Sequence, residues 1–229
     1  MPAPYETDAD LFKLLKSELF TAVVGDVLDQ MGFRRQFLPA AIQPLKPDMK
    51  IAGRAMPVLE ADVFDDRASA GPLAQKQFGL MLEALDDLKP GEIYLATGGS
   101  LRYAMWGELM STRAMHLKAA GVVLDGYTRD ANQIEALGFT VFSRGVYAQD
   151  QGPRGKVMDF RCAVEVDGIR IEPGALLFGD REGVLTIPRE AEQEAVRRSL
   201  EKSSAENKVG DAIRAGMSAT DAFRKFGVM

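Results

Sequence analysis

Two stretches, EIYLATGGSLRYAMWGEL at residues 92–109 and GVVLDGYTRDANQI at residues 121–134, decide how this chain folds. Each opens with a short apolar run suited to a buried strand, passes a tight turn, and continues into a helix start. RYAMWGELMSTRAMHLKAA, residues 102–120, reads as a single helix joining them. One helix between two strands makes a βαβ unit, so the strands run parallel and their C-terminal ends lie on one rim. The Gly98-Gly99-Ser100 loop and the Arg129-Asp130 turn are therefore expected to converge, where open α/β sheets commonly hold ligands.

Working outward, Thr7 and Asp10 form a capping-box pattern ahead of LFKLLKSELF, and TAVVGDVLDQMG reads as a second helix stopped by Gly32. The segment from Pro39 to Pro47 is a loop, and IAGRAMPVLEA is strand-like, with Pro57 suggesting an edge or a strand end. PLAQKQFGLMLEALDDL and ANQIEALG read as helices and TVFSRG as a strand. After Gly152 the texture changes: KVMDFRCAVEV, GIRI, ALLFG and GVLTI are strands separated by short turns, which favours antiparallel pairing. A polar helix from about Arg189 to Arg214 and a short SATDAFRKF helix close the chain. The expectation is an α/β fold with a β-rich layer, forming one domain over residues 1–229.

At 229 residues, 46% hydrophobic and 27% charged, the chain can bury a sizeable core. Its net charge of -5 opposes nonspecific attraction to nucleic acid or an anionic membrane. The N-terminus lacks a secretory pattern and no apolar run reaches membrane-spanning length, so a cytoplasmic location is expected. With one cysteine and one histidine, a conventional zinc site within one subunit is excluded. Any metal should be a hard cation such as Mg²⁺ or Mn²⁺ held by oxygen. Cys162 reads as a buried thiol on a strand, and His116 as a surface or packed residue.

Gly98 and Gly99 permit unusual backbone angles, and the amides that follow suit either a structural turn or an anion site. Neither a Walker loop nor a full dinucleotide fingerprint is present, so nothing in the sequence supports a methyl-donor pocket. Asp130, with Gln133 three residues later, fits a helix cap. Arg129 does not, because a guanidinium at a helix N-terminus opposes the macrodipole. An acid able to hold a cation beside an arginine able to grip an oxyanion suggests a keto-acid site. Trp106 reads as core or interface packing, and Arg144 as an exposed arginine that could reach the same rim.

The pattern GG.....A.WGEL....A.....GVVLDG..RD...I resembles the RraA-like family, which includes 4-hydroxy-4-methyl-2-oxoglutarate aldolases and an RNase E inhibitor. TAVVGDVLDQMG, IAGRAMPV, GALLFGDREGVLTIP and DAFRKFGVM extend the resemblance over nearly the whole chain. It implies a swivelling α/β/β layered domain with terminal helices, assembled as a homotrimer or hexamer with sites at the subunit boundary. The implied chemistry is a Mg²⁺- or Mn²⁺-dependent aldolase that releases pyruvate from a 2-keto acid, with oxaloacetate decarboxylation through the same enolate. Asp130 would then ligate the metal and Arg129 would stabilise the enolate. Gly98, Gly99, Ser100, Leu101, Arg102 and Tyr103 would bind substrate, chiefly through backbone amides from Ser100 to Tyr103. Glu206, or Glu201, would be the acid brought by a neighbouring subunit.

Ser100 departs from the pattern, since family aldolases place an aspartate directly after the second glycine. The change removes a negative charge and Arg102 adds a positive one, which weakens cation binding. Glu108 and Asp125 are candidate substitutes. Two further readings stay open: a noncatalytic protein that inhibits an RNase, and an enolate-forming enzyme with another substrate.

Overall fold

The computed structural model describes residues 4–63 and 72–227. The N-terminal helices α1 (Asp8–Glu18) and α2 (Thr21–Gln30) follow the sequence closely. Thr7 and Asp10 exchange the reciprocal bonds of a capping box, and Gly32, with φ +93°, ends the second helix. Next come β1 (Gln43–Pro44), β2 (Ile51–Asp62), α3 (Pro72–Gln75), α4 (Met81–Asp86), β3 (Glu92–Thr97) and β4 (Ala104–Trp106). The middle holds α5 (Glu108–His116), β5 (Gly121–Leu124), β6 (Tyr127–Thr128), α6 (Ala131–Leu137) and β7 (Val141–Ser143). Strands β8 (Gly155–Phe160), β9 (Val164–Val166), β10 (Ile169–Ile171), β11 (Leu176–Asp180) and β12 (Gly183–Ile187) precede α7 (Glu192–Arg214) and α8 (Ala219–Phe226).

The main sheet has the order β1-β7-β5-β3-β2-β11-β12, with β8 also on β2. Strands β2, β3, β5 and β7 are parallel neighbours, as the alternating pattern predicts, and the later strands pair antiparallel. Alternation along the strands sends one set of side chains to each face. Met56, Tyr94 and Val122 pack beneath α4, α5 and α6, while Ala52, Phe178 and Leu185 pack beneath α1, α2 and α7. Ile51, Ile93, Val123 and Leu177 face the opposite way, onto the β9–β10 hairpin. Helices, sheet and hairpin thus make the α/β/β layers. Residues 36–44 bridge the two sheet margins: Leu38 N–H reaches Val184 at one end, and Gln43 and Pro44 pair with β7 at the other. Among the described residues no helix is long and apolar enough to cross a membrane.

Several local expectations change. Strand β2 is central despite Pro57, because its far neighbour changes there. Strand β11 pairs as far as Arg54 and β8 begins opposite Val58, so the missing proline N–H falls in the gap. The helix read over 72–88 breaks at Gly79, φ +63°, where the backbone bridges to β8. A Cβ there would lie 2.2 Å from the Val157 carbonyl oxygen. The helix read over 102–120 starts only at Glu108, because Ala104–Trp106 pairs with β6. KVMDFRCAVEV is two strands, broken at Arg161, φ +54°, whose guanidinium ties Asp87 and Glu92. Cys162 sits in that break, half-buried, rather than on a strand.

Candidate active site

Strands β4 and β6 carry the two predicted strand ends outward as a second, two-stranded ladder. The Arg129 N–H donates to the Trp106 carbonyl at 2.9 Å, which fixes the turn that follows. Asp130 then takes φ +56° and ψ +37°, a left-handed conformation that costs a non-glycine residue about 1 kcal/mol or more. Its side chain makes no bond to α6, so the cap expected with Gln133 does not form. The carboxylate instead turns to the neighbouring helix, where Oδ2 accepts the Glu108 N–H at 3.1 Å and lies 3.7 Å from Arg129 Nε. The N-terminal end of α5 favours that negative charge.

Arg129 stands between two acids. Its Nη1 donates to Asp150 Oδ1 at 2.6 Å, and Asp150 Oδ2 accepts the Gly152 N–H at 2.9 Å. Gly107 makes room for the pair: a Cβ on it would lie 2.7 Å from Asp130 Oδ2 and 3.4 Å from Arg129 Cγ. Beside them opens a cleft of about 460 Å³. Arg129, Asp130, Asp150 and Gln151 form one polar end, the Asp86–Arg113 pair also lines the cleft, and Phe78, Met81, Leu85, Met105, Trp106 and Met110 are among its apolar walls. Trp106 is buried, lies 5.0 Å from the Tyr94 ring, and donates its Nε1–H to Ser111 Oγ at 2.7 Å.

The glycine loop shares the rim but not this cleft. The Asp125 N–H donates to the Ala96 carbonyl, and Thr97 Oγ1 donates to Asp125 Oδ2 at 2.8 Å, so the two strand ends do meet. Beyond them the loop folds over the end of β2. Gly98, φ +98°, lies against the Glu60 carbonyl, and Gly99 against the Tyr103 hydroxyl. The Ser100 N–H donates to Asp62 Oδ1 at 2.9 Å, and Arg102 Nη2 to Asp62 Oδ2 at 2.6 Å. Leu101 is exposed and Tyr103 buried. Residues 104–107, not 98–103, line the cleft beside Arg129.

Other candidates have settled partners. Arg144 pairs with Asp125 at 2.6 Å, and the Glu108 carboxylate accepts the Thr112 hydroxyl at 3.1 Å. His116 is exposed at the end of α5. Glu206 lies 3.5 Å from Lys202 on α7, and Glu201 accepts from Arg197 at 2.6 Å. Helix α7 covers the β11–β12 half of the sheet, whereas the cleft lies over the β3–β5 half. Asp150, Gln151 and Gly107 escaped the sequence reading. The usable signal was topological: β7 is parallel to β5, so the loop after it must return to the same rim.

Among the described residues no three His, Cys, Asp or Glu side chains gather into a ready-made metal cage. Asp130 offers a hard carboxylate, which suits a Mg²⁺-like ion that keeps waters and takes only one or two protein carboxylates.

A sequence model of the RraA-like family, described as Aldolase/RraA, matches residues 21–186. The chain belongs to this family. One Aldolase/RraA relative, the 4-hydroxy-4-methyl-2-oxoglutarate aldolase of Thermus thermophilus, is 26% identical over 152 residues, 66% of this chain and 84% of that protein. Protein DlpA of Legionella pneumophila is 28% identical over 94% of this chain, which spans only 34% of DlpA's length. An uncharacterized protein of Pseudomonas syringae superposes with a TM-score of 0.84 at 24% identity, covering 99% of this chain and 100% of that one. Streptomyces coelicolor RraAS2, described as an unusual member of the RNase ES inhibitor family, gives 0.74 at 22% identity over 89% and 98%. These two structures share the Aldolase/RraA fold with this chain.

Proposed function

We propose that the protein is a cytoplasmic, divalent-metal-dependent carbon–carbon lyase that cleaves a 2-keto acid to pyruvate. The observation that carries this reading is the turn at Asp130, whose carboxylate leaves its own helix and stands with Arg129 at the mouth of a cleft. In the cleavage of a 4-hydroxy-2-keto acid, the C4 hydroxyl gives up its proton to water, C4 leaves as the carbonyl carbon of an aldehyde or keto product, and the C3–C4 bond breaks. The electron pair moves into C2–C3 as an enolate, and C3 then takes a proton to give pyruvate. Arg129 is the group that meets the enolate oxygen, and Asp150 holds its guanidinium in place. Asp130 would hold Mg²⁺ or Mn²⁺, which when bound supplies Lewis-acid polarisation of the keto oxygen. Glu206 of a neighbouring subunit completes the site in a trimer or hexamer.

Family membership and the aldolase relatives support a small-molecule reaction. Pyruvate release from oxaloacetate and from 4-hydroxy-4-methyl-2-oxoglutarate, with Mg²⁺ and with a chelator, tests it. Metal-dependent turnover of a keto acid is the expected result, and its absence across a panel of 4-hydroxy-2-keto acids removes the proposal.

One observation favours a second reading. At the position of the family aspartate, Ser100 donates its N–H to Asp62 and its hydroxyl accepts from Arg102, so the loop is engaged within the chain. A noncatalytic protein that inhibits an RNase needs no acid there. Stoichiometric inhibition of RNase E cleavage by the purified protein would support this reading, and an unchanged cleavage rate would end it.

A further inference from the structure

We propose that Arg113 is a specificity residue of this cleft: its guanidinium meets the distal carboxylate of a dicarboxylic 2-keto acid whose keto end stands at Arg129 and Asp130. The placement of the keto end rests on the lyase reading. The rest comes from the far side of the cleft.

The cleft follows α5. Asp130 accepts the N–H of Glu108, the first residue of that helix, and Leu109, Met110 and Arg113 line the cleft farther along it. Leu109 and Met110, four and three residues before Arg113, share its face of the helix. From Glu108 to Arg113 the helix rises about 8 Å. Helical side chains lean back toward the N-terminus, which shortens the gap a ligand has to span. At about 460 Å³ the cleft holds more than a pyruvate unit. The carbon chain of a diacid then lies against Met81, Leu85 and Met110, with a carboxylate reaching each polar end.

Arg113 is only half engaged. Its Nε donates to Asp86 Oδ1 at 2.7 Å, and neither Nη1 nor Nη2 has a hydrogen-bond partner among the described residues. Two other arginines show what such a fork takes. Arg54 holds Asp8 through Nε and Glu192 through Nη1, and Arg161 holds Asp87 through Nε and Glu92 through Nη1. Each guanidinium thus serves two carboxylates. Arg113 has the first and lies in the wall of a cleft, so a ligand carboxylate is the second. Two parallel charge-assisted bonds from a planar fork are what a carboxylate can accept and a methyl group cannot. Asp86, 65% exposed, is screened by water and positions the guanidinium, as Asp150 does for Arg129.

Full-length protein with Mg²⁺ is titrated calorimetrically with 2-oxoglutarate and with 2-oxopentanoate, which share a five-carbon skeleton and differ in a terminal carboxylate or methyl. The expected result is at least about tenfold tighter binding of 2-oxoglutarate, the worth of hydrogen bonds to a charged group. In Arg113→Gln that ratio should fall to about twofold or less. The pair it breaks is exposed, so the variant should fold. Equal binding of the two acids by wild type, no binding of either, or a ratio that Arg113→Gln leaves intact overturns the proposal. The wild-type comparison needs no variant to fold. Pyruvate release is followed separately on 4-hydroxy-2-oxoglutarate, so a cleft that binds selectively without turnover would fault the lyase reading alone.

Discussion

Asp130 carries both a strained backbone and a carboxylate that leaves the helix it begins, and that combination argues for a role at the cleft rather than for helix capping. Asp130→Asn keeps the shape and an acceptor for the Glu108 N–H but removes the charge. We expect turnover to fall about a hundredfold or more while unfolding in urea stays close to wild type. Comparable losses of activity and stability would make the residue merely structural. Gly107→Ala acts at one remove, since its φ of -154° is ordinary extended backbone and only the new methyl matters, 2.7 Å from Asp130 Oδ2. That variant should lower kcat as the carboxylate is displaced, a change visible in steady-state kinetics. Arg129 and Asp130 were legible in the sequence because a cation at a helix start is anomalous in itself. Asp150 and Gln151 were not, for they lie in a loop without periodicity and acquire meaning only when β7 sets them beside β5.

Strand β2 shows what an element can hide. The register shifts between Leu59 and Glu60, which leaves Leu59 exposed and Glu60 buried, with neither carboxyl oxygen hydrogen-bonded among the described residues. Burial, with Asp62 nearby, pushes the Glu60 carboxyl from 4.5 up to about 8. The folded state therefore keeps a proton that the unfolded chain has released. Stability from this group is full below pH 4.5 and declines as pH rises to about 8. Urea unfolding at about pH 5 and about pH 8 should show wild type losing a few kcal/mol across the window, and Glu60→Gln losing much less. An identical slope in both proteins would refute the burial effect. Gly79 makes a second element-scale case, because Gly79→Ala meets both the positive φ and the Val157 carbonyl. A loss of about 1–3 kcal/mol in chemical denaturation is expected. Apolar runs revealed the parallel core, since buried strands leave that mark in any sequence. The breaks at Gly79 and before Glu108 depend on which neighbouring strand claims the backbone, and no local pattern records that.

The whole molecule separates two acids that the family resemblance would bring together. Asp130 lies at the cleft over the β3–β5 half of the sheet, while Glu206 rides on α7, which packs against α1, α2 and α8 over the other half. If both serve one site, they meet only across a boundary between copies, in a ring built from a repeated heterologous contact. Sedimentation should then give a trimer or hexamer. The sharper measurement mixes two crippled chains, Asp130→Asn and Glu206→Gln, by co-expression. Each alone should be nearly inactive, yet in a randomly mixed ring about a quarter of the sites pair an intact Asp130 with an intact Glu206 from the next chain. Activity should return to roughly that fraction of wild type. If the two acids acted within one chain, every mixed site would still lack one of them and co-expression would recover nothing. An unimpaired Glu206→Gln homo-oligomer would remove this residue from the site altogether, leaving Asp130 to be completed from elsewhere.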